Sequence, residues 1–376
     1  MNIELVSMLI FFAVLGIILY KNRGKYEFHS GLIILRWKRG LELIDALIKN
    51  HEKAIRITGY VAVVVGFLGG LIGLVLIIFT IVKMSPGVAL ILPTAAGYQY
   101  PGPIIGVPFW YWLIAIFIIL FVHETMHGIF ARAGKVPLKN YGVLLFFVLP
   151  IGAFVDPDNN KVKRMKTSRK LTFFAAGSFA NFVVGAFFIV IGLIFVSLMM
   201  NPTIFGYMTE GKGVTFNNTI SGYPAYEANL TGMITSINGV QIKTTEDLLL
   251  FLDNTQMGEE IKIVTNVSTY NIKTATRFDN QTGSVIGIYY PMTNVGVKNW
   301  GVITFNLLGW LALLNIGIGV ANLLPWKPFD GGLMTEEVLT KFFKKKGKLI
   351  ANIITGIVYA IIIFSLFGIR IIQAIF

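Results

Sequence analysis

Six stretches of this sequence run for about 18 residues or more with few or no charges, the length a helix needs to cross roughly 30 Å of hydrocarbon. They are Ile3–Tyr20, Gly59–Val82, Pro108–Ala131, Leu171–Met200, Trp300–Leu324 and Leu349–Phe376. In lipid a chain must satisfy its own backbone hydrogen bonds, so such runs are expected as helices. The expected fold is therefore a polytopic α-helical membrane protein of about six spans. A composition of 55% hydrophobic and 14% charged residues is too apolar for an ordinary soluble domain. Met1–Leu5 lacks the basic run of a secretory signal and no small-residue cleavage site follows, so the first span is expected to be retained.

The net charge of +13 does not point to nucleic acid, because the basic residues gather in short segments between spans. Lys21 to Arg56 holds nine of them, Arg132 to Lys170 another nine, and Lys327 to Lys348 six. Met84–Val107, by contrast, has no Lys, Arg, Asp or Glu. The positive-inside rule places the three basic loops in the cytoplasm and both termini outside. The polar segment Asn201–Asn299 then lies outside too, and at roughly 90 residues it is long enough to fold as its own domain. Its four Asn-x-Ser/Thr sequons, at Asn217, Asn229, Asn266 and Asn280, agree with that side.

Two apolar segments are not simple spans. Val88–Val107 contains Pro93, Gly97, Pro101, Gly102, Pro103 and Gly106, which break a helix repeatedly. Tyr141–Val155 is only about 15 residues long and carries Pro150 and Gly152, so a re-entrant, strand-like hairpin is expected there. The alternative is a loop lying on the membrane surface.

The third span runs into His123-Glu124-Thr125-Met126-His127. Histidines four apart stand nearly above one another on a helix, so both imidazoles can reach one ion. Glu124, one position round, can take a proton from water and return it to a leaving amine. Ionisable residues are costly in a span, by about 2.5–3.5 kcal/mol each when charged, and tend to be functional. Two of the four histidines of the chain stand here. With no cysteine, a zinc ion must be held by His and carboxylate, in a site with three protein ligands and one open position. The third ligand is expected from Asp330, in Asn322-Leu-Leu-Pro-Trp-Lys-Pro-Phe-Asp330-Gly-Gly, at the same end of its span as the histidines. Gly331 and Gly332 are read as letting the backbone turn near the site. Asp156 and Asp158 are rivals on the same side. In the fourth span, Ala175-Ala176-Gly177-Ser178-Phe179-Ala180-Asn181 brings small residues for close helix packing. Asn181 is read either as orienting a substrate carbonyl or oxyanion, or as an interhelical hydrogen bond.

The constellation resembles the site-2 protease family of intramembrane zinc metalloproteases, whose motifs occur here in family order: His123–His127, Gly177–Asn181 and Asn322…Pro325…Asp330-Gly331. The resemblance implies one zinc ion held by His123, His127 and Asp330, Glu124 as general base, and Asn181 with Asn322 near substrate or oxyanion. It spans roughly Pro108–Leu333 and implies a core of spans three, four and five. Ser221–Leu230, Gly232–Ile242, a helix-like Thr245–Asp253 and a strand-like Glu260–Thr265 look similar to the PDZ domain inserted in this family, although Tyr223 and Tyr226 bring bulk where the family carries small residues. PDZ domains bind extended peptides at a sheet edge. Asn238-Gly239 is independently a hairpin signal. The chain is accordingly divided into two leading spans with a basic loop and the irregular segment (1–107), the first part of the core (108–200), an extracytoplasmic α+β PDZ-like domain (201–299), the second part of the core (300–340) and a last span (341–376).

The expected activity is hydrolysis of peptide bonds within or next to transmembrane segments of substrate proteins, in the cell membrane, with the site near the cytoplasmic face. Partners are then membrane-spanning substrates, the bilayer and a peptide at the PDZ-like domain, with no nucleic acid. Competing readings are a membrane prenyl-protein endopeptidase, which takes its third ligand from a Glu on a later helix, and a non-catalytic scaffold, which would lack Glu124 or a histidine. A metal transporter fits less well, because the ionisable residues cluster at one depth.

Overall fold

A computed structural model describes residues 3–38, 41–95, 98–199, 209–276 and 283–375, so the sequon at Asn280 lies outside the described residues. The chain divides into two compact units, one of residues 1–191 and 307–376 and the other of residues 192–306. Six helices are long and apolar enough to cross a membrane, in the order expected.

The first helix, α1 (Ile3–Lys21), packs Phe11 and Phe12 edge-on against Phe109 and leads into a hairpin, β1 (Tyr26–His29) and β2 (Leu32–Trp37). Its turn, Ser30-Gly31, has φ of 49° and 85°, the paired positive values that match the twist of a tight hairpin. This corrects the reading of Lys21–Arg56 as a plain basic loop. α2 (Leu41–Val82) is 42 residues long, far beyond the expected Gly59–Val82. At His51 its backbone leaves helical geometry (φ −132°, ψ 30°), so a short leading helix meets the span at a kink.

β3 (Leu90–Thr94) and β4 (Ile104–Pro108) pair in parallel where prolines and glycines exclude a helix. α3 (Phe109–Ala133) follows directly. The apolar segment after it forms a hairpin, β5 (Leu138–Phe146) and β6 (Leu149–Pro157), rather than a loop. β5 also pairs with β2, from Leu32↔Phe146 to Trp37↔Tyr141, giving a four-stranded sheet in the order β1-β2-β5-β6. The two hairpin tips are joined, since the Phe147 N–H donates to the Gly31 carbonyl at 2.7 Å. β6, the edge strand, lies along α3. α4 (Asn159–Arg164) is capped by Asp158, whose side chain accepts from the backbone N–H groups of Asn160 and Lys161. α5 (Thr167–Met199) is the fourth span.

The second unit is built from β7 (Thr209–Thr215), β8 (Asn218–Thr219), α6 (Pro224–Glu227), β9 (Ile234–Ile237), β10 (Val240–Gln241), α7 (Thr245–Asp253), β11 (Glu260–Thr265), β12 (Thr269–Lys273), β13 (Ala275–Thr276), β14 (Ser284–Val285), β15 (Ile288–Tyr289) and β16 (Met292–Val297). The main sheet runs β12-β11-β9-β7-β16, with β10 on β9. Its inward residues Ile234, Ile237, Ile261 and Ile263 close over Leu248 and Leu252 of α7. α7 and β11 have the bounds expected from the sequence, and Asn238-Gly239 turns β9 into β10 with φ of 49° and 82°. α7 opens with a capping box in which Thr244 accepts from the Asp247 N–H and Asp247 accepts from that of Thr244. Thr244→Ala is expected to lower the exchange protection of the α7 amides about five-fold, a loss of about 1 kcal/mol. The N–H groups of Lys243 and Thr244 hold the Asp247 carboxyl below its ordinary range. Its contribution is thus complete above the ordinary carboxylate pKa and is lost as pH falls through the depressed folded value. The same exchange measurement in acid reads that loss.

The chain returns through α8 (Asn299–Leu323), α9 (Asp330–Phe343) and α10 (Lys345–Ile363), a π-helical turn Phe364–Gly368 and α11 (Ile369–Ile375). The turn between α8 and α9 is fixed by Trp326. Its indole N–H donates to the Ala321 carbonyl at 2.9 Å, and its ring stacks on Phe329 with centroids 4.6 Å apart. That turn sets where Asp330 begins its helix.

Candidate active site

Ala115, Ile119, His123 and His127 follow one another at four-residue steps along the buried stripe of α3. Both imidazoles are nearly fully buried, at 8% and 7% exposure. Their Nε2 atoms face each other at 3.1 Å. Asp330, first residue of α9, completes the group: its Oδ2 lies 3.4 Å from Nε2 of His123 and its Oδ1 3.4 Å from Nε2 of His127. These three residues are the group of metal-binding character among the described residues. Of the rival carboxylates, Asp158 is spent on capping α4 and Asp156 is not part of the group.

The two imidazole nitrogens stand 3.1 Å apart and each faces its own Asp330 oxygen at 3.4 Å, so donors of all three residues gather at one place. Donors about 2.0–2.1 Å from a tetrahedral zinc ion stand roughly 3.3 Å apart, so the residues fit that ion. Gly177 of α5 seals this place from one side. A Cβ there would lie 2.5 Å from Nε2 of His127 and 2.6 Å from Nε2 of His123, so only glycine leaves the pair accessible. Gly331 and Gly332 do not form the turn expected of them but lie in the first turn of α9. A Cβ on Gly331 would fall 1.9 Å from the Leu323 carbonyl oxygen, so the missing side chain lets α9 start against the end of α8. The same helix is tied to α5 by Glu337, which accepts from Lys170 at 3.0 Å and from Thr167 at 2.9 Å.

Glu124 stands one residue round from the histidine stripe, and its Oε2 accepts from the Val155 N–H of β6 at 2.9 Å. It lines two spaces. One is a cleft of about 630 Å³ shared with His123, His127, Asp330 and Asn322. The other is an apolar hollow of about 700 Å³ between α3 and the sheet, bounded by Phe117, Phe121, Ala153 and Phe154. Asn322 stands in the first of these, the cleft. Asn181 is instead fully buried, with its amide nitrogen 3.2 Å from Nδ1 of His123, the interhelical bond that was its second reading. Three groups were not read from the sequence. They are the Ser178 hydroxyl, 3.0 Å from Oδ2 of Asp330, the Phe173 carbonyl, 2.7 Å from Nδ1 of His127, and the β1–β2 hairpin that extends the sheet. The Ser30-Gly31 dipeptide between two β-rich runs was the available signal for the hairpin. A backbone carbonyl leaves none.

The sequence model of peptidase family M50 matches residues 111–368. The chain is also similar to an uncharacterised protein of Methanocaldococcus jannaschii, MJ0971, at 26% identity over 369 residues, 93% of this chain and 92% of the relative. The matched region takes in α3 with its histidines, α5 behind them and the Asp330 turn, so this multi-pass membrane protein belongs to peptidase family M50, the site-2 protease family of zinc metalloproteases.

Proposed function

We propose that the chain is an intramembrane zinc endopeptidase that cleaves peptide bonds within or next to transmembrane segments of other proteins. The observation that carries the reading is the position of Glu124, between a cleft holding a buried His-His-Asp face and an apolar hollow open enough for a hydrophobic chain. His123, His127 and Asp330 would hold a zinc ion, which would supply the Lewis acid for the scissile carbonyl. Glu124, fixed by the Val155 N–H, takes the proton of the attacking water and passes it to the departing amine. Asn322, in the same cleft, is placed to orient the substrate carbonyl.

A substrate helix must unwind before its amides are available, and it then needs new backbone partners. β6 is a sheet edge. Its Val155 N–H turns outward to Glu124, so by the alternation of an antiparallel strand the N–H and C=O of Ala153 turn the same way, beside the hollow. Substrate pairing on this edge delivers an extended segment to Glu124. Proline at Ala153 removes one outward donor, and edge strands tolerate it. Ala153→Pro is expected to lower cleavage about ten-fold, the value of one such hydrogen bond, with zinc content and folding unchanged. Unchanged cleavage by the folded variant overturns the pairing.

The basic loops, by the positive-inside rule, support a cytoplasmic position for this end of the core. The NG-turned strands and capped helix of the second unit support a PDZ-like module that screens peptides outside, while Tyr223 and Tyr226 bring bulk where the family carries small residues. The deciding experiment incubates the purified protein in liposomes with a panel of single-span proteins, before and after chelation and zinc restoration, and maps cleavage sites. Zinc-dependent cuts in or beside the spans are expected. Zinc bound with no cleavage of any member sinks the protease reading.

A further inference from the structure

All three residues of the buried face are held from behind by α5, which supplies none of them. Phe173 O is 2.7 Å from Nδ1 of His127, Ser178 Oγ is 3.0 Å from Oδ2 of Asp330, and Asn181 Nδ2 is 3.2 Å from Nδ1 of His123. Phe173, Gly177 and Asn181 recur at four-residue steps, so one face of the helix meets the whole site. Ser178 and Asn181 are fully buried, and neither lines the cleft.

The bonding roles differ. A carbonyl only accepts, so Nδ1 of His127 carries the proton and its Nε2 presents a lone pair. The Ser178 hydroxyl donates to Asp330 and fixes the plane of that carboxylate. Asn181 can do either. With its nitrogen on His123, Nδ1 must accept and the proton sits on Nε2, where a cation would have to bind. With the amide turned, Oδ1 accepts from Nδ1–H and the Nε2 lone pair is freed. In the structure Oδ1 of Asn181 is buried without a hydrogen-bond partner, and turning the amide gives that oxygen a donor.

We propose that Asn181 and Ser178 are positioning residues for the metal: Asn181 turns its amide oxygen to His123 in the zinc-loaded protein and so selects the binding tautomer, while Ser178 aims Asp330. The proposal rests on the reading of His123, His127 and Asp330 as zinc ligands. It assigns Asn181 to the metal rather than to the substrate oxyanion.

The test titrates zinc from the purified full chain with graded chelator, comparing wild type with Ser178→Ala, Asn181→Leu, Asn181→Ala and Asn181→Asp, each checked for monodisperse elution. Residues behind metal ligands typically carry 10–100-fold in affinity. Asn181→Leu and Asn181→Ala are expected to weaken zinc by that factor, and Ser178→Ala by about ten-fold. Asn181→Asp, an acceptor only, takes the Nδ1–H and is expected to stay within about three-fold of wild type. That rescue separates positioning from packing, and the alanine variant serves should the leucine variant not fold. Wild-type zinc affinity in the leucine or alanine variant, with cleavage lost, returns Asn181 to the oxyanion and overturns the proposal. Loss in the aspartate variant as deep as in the leucine variant also overturns it. A wild type without zinc overturns the metal reading itself, and the proposal with it.

Discussion

Gly177→Ala is expected to abolish zinc retention in an otherwise folded protein. The new methyl carbon would stand 2.5 Å and 2.6 Å from the two Nε2 atoms, against an ordinary contact of roughly 3.5 Å. Neither imidazole has room to withdraw, because Nδ1 of His127 is tied to Phe173 and Nδ1 of His123 to Asn181. Alanine is otherwise the best helix former, so α5 itself has no reason to unwind. Metal analysis after gel filtration is expected to find less than about a tenth of the wild-type zinc, the loss of about 1.4 kcal/mol or more that a ligand shift of this size entails. Full zinc occupancy in this variant would show that the imidazoles are free to move, contrary to their tethering.

Glu124→Gln is expected to do the opposite, keeping zinc and losing the reaction. Glutamine has the same shape, and its amide oxygen can still accept from the Val155 N–H, so the local packing persists. It cannot accept a proton from water. Removing a general base costs typically 10²–10⁴ in rate, and here the same group also returns the proton to the amine. Single-turnover cleavage at matched zinc content measures the factor. A variant that cleaves within a few-fold of wild type moves the base to another residue.

How much of this could be read in advance depends on whether the information was local. The six spans are legible because apolarity over about 20 residues is a property of the segment itself. The same holds for α7, announced by Thr244 and Asp247 ahead of its leucines, and for the turn at Asn238-Gly239. The histidine pair is legible because its spacing is a helical repeat. Asp330 is a different case. Three carboxylates share one end of the spans, and the choice rests on which backbone can approach the histidines, which Gly331 decides through a contact with Leu323 that no pattern encodes. Asp158 is a rival by position, and only the fold shows its side chain spent on the amides of α4. Ser178 lay unnoticed among small residues, since nothing in Ala-Ala-Gly-Ser says which neighbour the hydroxyl meets. The early start of α2 was hidden because its first ten residues are amphipathic rather than apolar, and the break at His51 separates them from the span.

The shared sheet sets an order of assembly. β2 is made about a hundred residues before β5, the strand it pairs with, and contacts so distant in sequence form late. Until then the β1–β2 ribbon has an open edge that hydrocarbon does not tolerate, so it must wait where water can satisfy it. The sheet therefore closes only once β5 has emerged behind α3. Half of the sheet also lies ahead of residue 111, where the match to the family model begins. The strand that holds Glu124 in place thus depends for its backing on residues ahead of the matched region, and a chain lacking residues 1–40 would leave β5 unbacked beside a complete set of ligands.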